Sequence, residues 1–118
     1  MTRRNHSAFG SQRERAVADQ LRADGWVVFR CAGSKPCDLV AMRERFPLSA
    51  AELVNPYSKT EAQLIEVKGT ARSPWVAWGP KERDELRDQA RAAGATPMLA
   101  WWPPHSPLQW IGEAEWPT

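Results

Sequence analysis

Hydrophobic positions recur with two different periods along this chain, and the change from one to the other predicts its helices and strands. Apolar residues at helical spacing predict a first helix from about Ser11 to Ala23, followed by an Asp-Gly stop. A second helix is predicted over 80–94, where Pro80 suits the first turn and Gly94 the C-terminal end. Runs of β-branched and aromatic residues predict four strands, at 26–30, 37–43, 62–69 and 96–102.

The resulting order, α-β-β-β-α-β, is typical of an α/β domain with a central mixed sheet flanked by helices. The first three strands can form a meander, and the second helix supplies the crossover to the fourth. At 118 residues the chain is expected to be one domain, 1–118. Three segments lie outside this framework: a flexible basic arm at 1–8, a long excursion between strands at 44–61, and a loose tail at 112–118. Residues 108–116 could add a short edge strand.

Composition excludes several classes of protein without naming a function. With 42% hydrophobic and 25% charged residues, the chain has ordinary globular values. It contains no stretch of eighteen apolar residues and no apolar signal-peptide core, so we expect a cytoplasmic protein without a membrane partner. Cys31 and Cys37 are separated by five residues and lack a second Cys or His pair, which excludes a zinc framework.

Charge is unevenly distributed, although the net value is only +2. Residues 1–45 contain nine Arg or Lys against five Asp or Glu, and residues 46–118 contain seven against nine. A basic N-terminal region suits a polyanionic partner, but an ordinary solvated surface explains the same excess. The twelve Arg against four Lys, with the Ala and Trp content, suggest a GC-rich genome of bacterial or phage origin.

The stretch LIEVKG places a carboxylate and an ammonium inside an apolar run. Because side chains alternate along a strand, Ile65 and Val67 point to one face, and Glu66 and Lys68 to the other. An exposed Glu–Lys pair contributes only ~0–1 kcal/mol and needs no function. Two further acids argue for a site instead.

Asp38 and Glu14 are those two acids. Asp38 begins the neighbouring strand after a Gly-Ser turn, and Glu14 shares a helical stripe with three apolar residues. Together with Glu66 they make three carboxylates. Burial of each costs roughly several kcal/mol unless a cation compensates its charge. Oxygen ligands select Mg²⁺ or Mn²⁺, and with Lys68 such a site fits phosphodiester hydrolysis.

The segments ERAVADQLRADGWVVFRCAGSKPCDLVA and LIEVKGT closely resemble archaeal-type Holliday junction resolvases, which belong to the restriction-endonuclease-like nucleases with the PD-(D/E)xK signature. The resemblance covers roughly residues 9–102. It implies that Asp38 and Glu66 bind the metal, that the Val67 carbonyl is a further ligand, and that Glu14 completes the acidic cluster. Lys68 matches the strand lysine of the signature. The implied cofactor is Mg²⁺, with Mn²⁺ able to substitute.

The same resemblance assigns residues to DNA. Arg15 and Arg30 match arginines that meet the DNA backbone, and Ser34 and Lys35 lie in a turn that relatives use as a loop over the site. Solvated charges explain Arg15 and Lys35 equally well. Arg3 and Arg4 form a short basic arm of a kind that often follows phosphates, although frayed termini are common.

The chain departs from the family pattern in two places. The segment between the second and third strands is longer than the usual short hairpin, and Pro36 stands two residues before Asp38 with Cys37 between them. The resemblance nevertheless implies a homodimeric, metal-dependent endonuclease, nucleoid-associated, that resolves four-way DNA junctions by paired symmetric nicks. A less specialised nicking or repair nuclease of the same fold, and a non-catalytic DNA-binding module, remain alternatives.

Overall fold

The structure is a computed structural model that describes residues 2–35, 37–44 and 60–117, with side chains except those of residues 2–9 and Ser34. The helices are α1 (Thr2–Ala23), α2 (Pro74–Ala77) and α3 (Pro80–Ala93). The strands are β1 (Val27–Arg30), β2 (Leu39–Glu44), β3 (Thr60–Lys68), β4 (Thr96–Trp101) and β5 (Gln109–Gly112). Short 3-10 turns span Ala32–Ser34 and Glu113–Glu115. Most of the predicted 44–61 excursion, residues 45–59, lies outside the described residues.

The described strands form one mixed sheet in the order β1-β2-β3-β4-β5. The β1–β2 and β2–β3 pairs are antiparallel, which is the predicted meander. β3 and β4 are parallel because α3 crosses over between them, and β5 adds the short antiparallel edge strand. The predicted α/β fold is therefore confirmed.

Each face of the sheet has its own core. On one face α1 buries Val17, Ala18 and Leu21 against Ile65 and Val67 of β3 and neighbouring strand residues. On the other face α3 packs Leu86 and Ala90 onto the sheet. The alternation predicted for β3 therefore leaves Glu66 and Lys68 on the α3 face, at the end of the strand.

Helix α1 begins at Thr2, well before the predicted start at about Ser11. The segment 1–8 was expected to be a flexible arm, but from Thr2 onward it is helical backbone. Once a packed helix exists, each added residue needs no new nucleus, and no proline interrupts this stretch. The side chains of Arg3 and Arg4 lie outside the described ones, so their roles stay predictions.

The tail predicted to be loose at 112–118 is instead packed onto the protein over its described part, 112–117. After the turn Glu113–Glu115, the Trp116 side chain is only 5% exposed and meets the Trp78 ring edge-on at 4.7 Å. Its indole N–H donates to the Ile111 carbonyl at 3.0 Å. Burial of one large aromatic side chain is enough to hold a short terminus that contains little else apolar.

Within the described residues, no helix has the length and apolar character needed to cross a membrane.

Candidate active site

Four of the predicted site residues meet at one end of the sheet, where β1 and β3 end and β2 begins. The register pairs Arg30 with Leu39, and Leu39 with Ile65. Asp38, immediately before β2, consequently lies beside the end of β3 that carries Glu66 and Lys68. Helix α1 crosses this end and brings Glu14 to it.

Asp38 is held by three hydrogen bonds that use both its backbone and its side chain. Its amide donates to the Ile65 carbonyl at 3.1 Å, and its own carbonyl accepts from the Cys31 amide at 3.0 Å. One carboxylate oxygen, Oδ2, accepts from the Val67 amide at 2.8 Å, and the residue is 6% exposed. A short carboxylate at the start of a strand is thereby locked onto the neighbouring strand.

Glu66 and Lys68 form an ion pair along the α3 face of β3. Lys68 Nζ lies 3.2 Å from Glu66 Oε2, and the Glu66 side chain is only 16% exposed. An exposed ion pair of this kind contributes little to stability. When the pair is buried, the cost of removing its charges from water becomes important. Burial of the Glu66 carboxyl and the neighbouring Asp38 charge raise its pKa to about 7, against the opposing effect of Lys68.

Glu14 reaches the site from α1 and pairs with Arg30 at the end of β1. Arg30 Nη2 donates to Glu14 Oε2 at 3.1 Å across a partly exposed contact. Burial raises the pKa of Glu14 above its usual value; the Arg30 bond opposes this rise, and the Asp38 charge adds to it. Arg30, assigned to DNA by resemblance, thus also orients an acid of the cluster.

The Asp38 charge lies close enough to raise the pKa of both Glu14 and Glu66, yet each of the three carboxylates is held by a different partner. Among residues 2–35, 37–44 and 60–117, no three His, Cys, Asp or Glu side chains are grouped so as to hold a metal ion. The donor set nevertheless fits Mg²⁺ or Mn²⁺, because it is made only of oxygens and carries excess negative charge at a partly buried place. The pKa of Glu66 is raised first by burial and then by the neighbouring Asp38 charge.

The remaining DNA candidates are less closely tied to this cluster. Arg15 and Lys35 are exposed, and the Ser34 side chain lies outside the described ones. Lys35 lines a cleft of about 130 Å³ together with Glu66. The predicted roles of these residues rest on their position alone.

Glu82 and Glu85 line the same cleft and were not singled out from the sequence. They lie in the first turns of α3, where charged residues are typical of a solvent-exposed helix face. Only the crossover from β3 to β4 brings this end of the helix beside Glu66. The signal available in the sequence, two acids three residues apart near a helix start, is too common to find them.

The comparisons with known proteins identify the family of this chain. The family model described as archaeal Holliday junction resolvase (Hjc) matches residues 5–115. The chain belongs to this family. Holliday junction resolvases of this family are endonucleases, so the predictions of the family and of an endonuclease are confirmed. Nucleases of the family are generally metal-dependent. Because the family is archaeal, the expected bacterial or phage origin gains no support.

Solved structures support the fold of this Hjc-family chain. One is that of Archaeoglobus fulgidus Hjc, a Holliday junction resolvase from an archaeal hyperthermophile, with a TM-score of 0.62 and 23% sequence identity. The match covers 87% of this chain and 71% of that chain. A comparison with curated protein sequences finds no match.

Proposed function

We propose that this chain is a Mg²⁺-dependent endonuclease that acts as a homodimer and resolves four-way DNA junctions by paired symmetric nicks, with Mn²⁺ able to replace Mg²⁺. The observation that carries the proposal is the convergence of Glu14, Asp38, Glu66 and Lys68 at one sheet end of a Hjc-family chain. Phosphate is repelled by a bare acidic cluster, so a site of this composition suits a cation that binds phosphate.

In this proposal Asp38, Glu66, Glu14 and the Val67 carbonyl hold the metal. When bound, the metal polarises a phosphate oxygen and lowers the pKa of a coordinated water. The protein's own contribution is placement: the Val67 amide fixes the Asp38 carboxylate, and Arg30 fixes the Glu14 carboxylate. Lys68 lies 3.2 Å from Glu66, where its ammonium can orient the attacking water or stabilise negative charge on the phosphate.

DNA is held in this proposal mainly through its phosphates. Arg15, Lys35, Arg3 and Arg4 supply positive charge around the acidic cluster, and Arg30 divides its guanidinium between Glu14 and the DNA backbone. Contacts to phosphate position a duplex without reading its bases, so recognition follows the shape of the junction. A two-fold dimer matches the two-fold symmetry of a four-way junction and places one site on each of two opposing strands.

The alternative of a non-catalytic binding module agrees less well with the site. A binder of DNA gains nothing from burying acids where phosphate must lie, and burial of Glu66 is unfavourable enough to raise its pKa to about 7. A less specialised nicking nuclease shares the same catalytic residues. It differs only in substrate range.

The test is cleavage of a labelled synthetic four-way junction and of its linear duplex arms, in Mg²⁺ and in EDTA, by the wild type and Asp38→Asn. We expect metal-dependent paired cuts in the junction alone, which the variant does not make. Cuts in every substrate would support the general nuclease, and tight junction binding without cleavage in Mg²⁺ or Mn²⁺ would support the binding module.

A further inference from the structure

Arg13 makes a contact near the acidic cluster that belongs to none of the roles described so far. It precedes Glu14 on α1, and its side chain reaches the residues that directly follow β3 and β4. Its Nε donates to the Trp102 carbonyl at 3.1 Å. The Trp102 amide in turn donates to the Lys68 carbonyl at 2.7 Å. A continuous chain of hydrogen bonds therefore joins the helix that carries Glu14 to the strand that carries Lys68.

Gly69 leaves the space that Arg13 occupies. The Arg13 side chain lies where any larger residue at position 69 would have its Cβ. A Cβ added at Gly69 would fall 2.6 Å from Arg13 Cζ and closer still to Nε and Cδ. Such distances do not occur between non-bonded atoms, so any side chain at 69 must displace Arg13. The backbone φ of Gly69 is not in the left-handed region, and the glycine is needed here for space alone.

The backbone around Gly69 is anchored on both sides and cannot easily move away. The Lys68 carbonyl accepts from Trp102, and the Thr70 carbonyl accepts from the Trp101 indole Nε1 at 2.9 Å. The Arg13 side chain can move more easily than the backbone at Gly69, because it is half-buried and borders a cavity of about 260 Å³. A substitution at Gly69 therefore acts first on Arg13. Truncation of Arg13 opens onto existing space rather than removing part of the core.

We propose that Arg13 is a positioning residue, which by lying over Gly69 and bonding Trp102 sets the separation between Glu14 on α1 and Lys68 on β3. The described apolar contacts of α1 begin at Val17, about one turn farther along the helix. At the site end, Arg13 and the Glu14–Arg30 pair hold α1 against the sheet. The inference rests on the proposed function, since it concerns the geometry of the same cluster.

The experiment compares Arg13→Ala, Gly69→Ala and the double variant in junction cleavage at saturating DNA. Misplacement of a catalytic group by a fraction of an ångström to 1 Å costs about tenfold to a hundredfold in rate, and we expect losses of that order in each single variant. Because both substitutions remove the same contact, the double variant should be no slower than Arg13→Ala alone. Junction affinity in EDTA should change by less than about threefold, since the loss is in the chemical step.

Arg22→Ala is the matched control, because Arg22 is also an α1 arginine that bonds a strand carbonyl. Its Nη2 donates to the Val28 carbonyl at 3.0 Å, away from the acidic cluster. A purely structural arginine should lower the midpoint of denaturant unfolding without changing the cleavage rate. The expected result is that Arg22→Ala behaves in this way, whereas Arg13→Ala loses rate.

A second readout separates this inference from the proposed function. The affinity of the DNA-free protein for Mn²⁺, measured by titration calorimetry, should fall in Arg13→Ala and Gly69→Ala and stay unchanged in Arg22→Ala. If the wild type binds Mn²⁺ but does not cut a junction, the proposed function fails and the Mn²⁺ affinities alone decide the role of Arg13. The inference would be overturned if Arg13→Ala cleaved the junction at the wild-type rate and bound Mn²⁺ with the wild-type affinity. So would a full additional loss from Gly69→Ala in the Arg13→Ala background. A wild type that binds no Mn²⁺ counts against both.

Discussion

At the scale of single residues, the Glu66 carboxyl gives the strongest support to the proposed cation site. Its side chain is only 16% exposed, it lies beside Asp38, and its pKa is raised to about 7 despite the Lys68 ammonium 3.2 Å away. A carboxyl at such a position lowers the stability of the protein, so it is not explained by selection for stability. The protein without metal therefore carries a charge that opposes folding, which has a measurable consequence.

Glu66→Gln should make the metal-free protein more stable at alkaline pH. A carboxyl whose pKa is raised in the folded state keeps its proton there, so its favourable contribution is fully present below the usual value of 4.5 and is lost as the pH rises through about 7. Glutamine imitates the protonated form. Between about pH 5 and about pH 8 in EDTA, the free energy of unfolding of the wild type should therefore fall relative to the variant, by about 1–3 kcal/mol.

Denaturant unfolding at the two pH values measures this difference, and comparison across pH cancels effects of the substitution that do not titrate. Glu115→Gln, at an exposed position in the C-terminal turn, is the matched control and should leave the pH dependence unchanged. If the free energy of unfolding depends equally on pH in the wild type and Glu66→Gln, the surroundings of Glu66 do not raise its pKa. The Glu66→Gln protein should also bind a junction while failing to cut it.

Arg15 belongs to the residue scale as well, because its side chain is exposed and directly follows Glu14. If it contacts a phosphate, Arg15→Ala should weaken junction binding and lower the slope of log affinity against log salt by about one. Measurement of binding in EDTA over a range of salt concentrations tests this. Arg91→Ala, an exposed arginine at the far end of α3, is the control. An unchanged slope in Arg15→Ala would assign Arg15 to the solvated helix surface.

At the scale of elements, the parts that carry the site differ in how strongly the sequence predicts them. The strands were predictable because alternating or continuous apolar runs demand a sheet, and the Glu66–Lys68 face followed from the period of two. The helix stripe with Glu14 followed from the period of 3.6. The bond from the Val67 amide to Asp38 was not predictable, since it depends on the register of two strands separated by an excursion.

The elements that the sequence failed to place are too short to show a hydrophobic period. Helix α2 is a single turn capped by Ser73, in a stretch outside the predicted helices and strands. The C-terminal turn has weak propensity of its own and is held by Trp116 against Trp78. The contact of Arg13 with Gly69 likewise joins residues 56 positions apart that carry no shared pattern.

The packed tail gives a prediction at this scale. Trp116→Ala should lower the free energy of unfolding by about 3 kcal/mol, because it removes a large aromatic side chain that is 5% exposed and leaves a cavity beside Trp78. Denaturant unfolding measures the loss. Trp110→Ala, at a position 39% exposed, is the control and should cost much less. Equal effects of the two substitutions would contradict the packed position of the tail.

At the scale of the whole molecule, the sheet places the acidic cluster at one end, with α1 and α3 on opposite faces. Among the described side chains, Arg30 pairs with Glu14 and Lys35 lines a cleft with Glu66, so positive charge adjoins the acids. This combination suits an enzyme that attracts a polyanion and then places a cation against it. Two such sites related by a two-fold axis would cut opposing strands of a junction.

Paired cutting at a four-way junction is tested on a supercoiled plasmid that extrudes a cruciform, which is such a junction within a closed circle. Paired symmetric cuts in one binding event convert this circle to linear DNA, whereas independent nicks give a relaxed circle. We predict linear product in Mg²⁺, none in EDTA, and none with Asp38→Asn. Relaxed circles as the sole product would contradict paired cutting by a dimer, and an intact plasmid under all conditions would contradict the assignment of an active nuclease site.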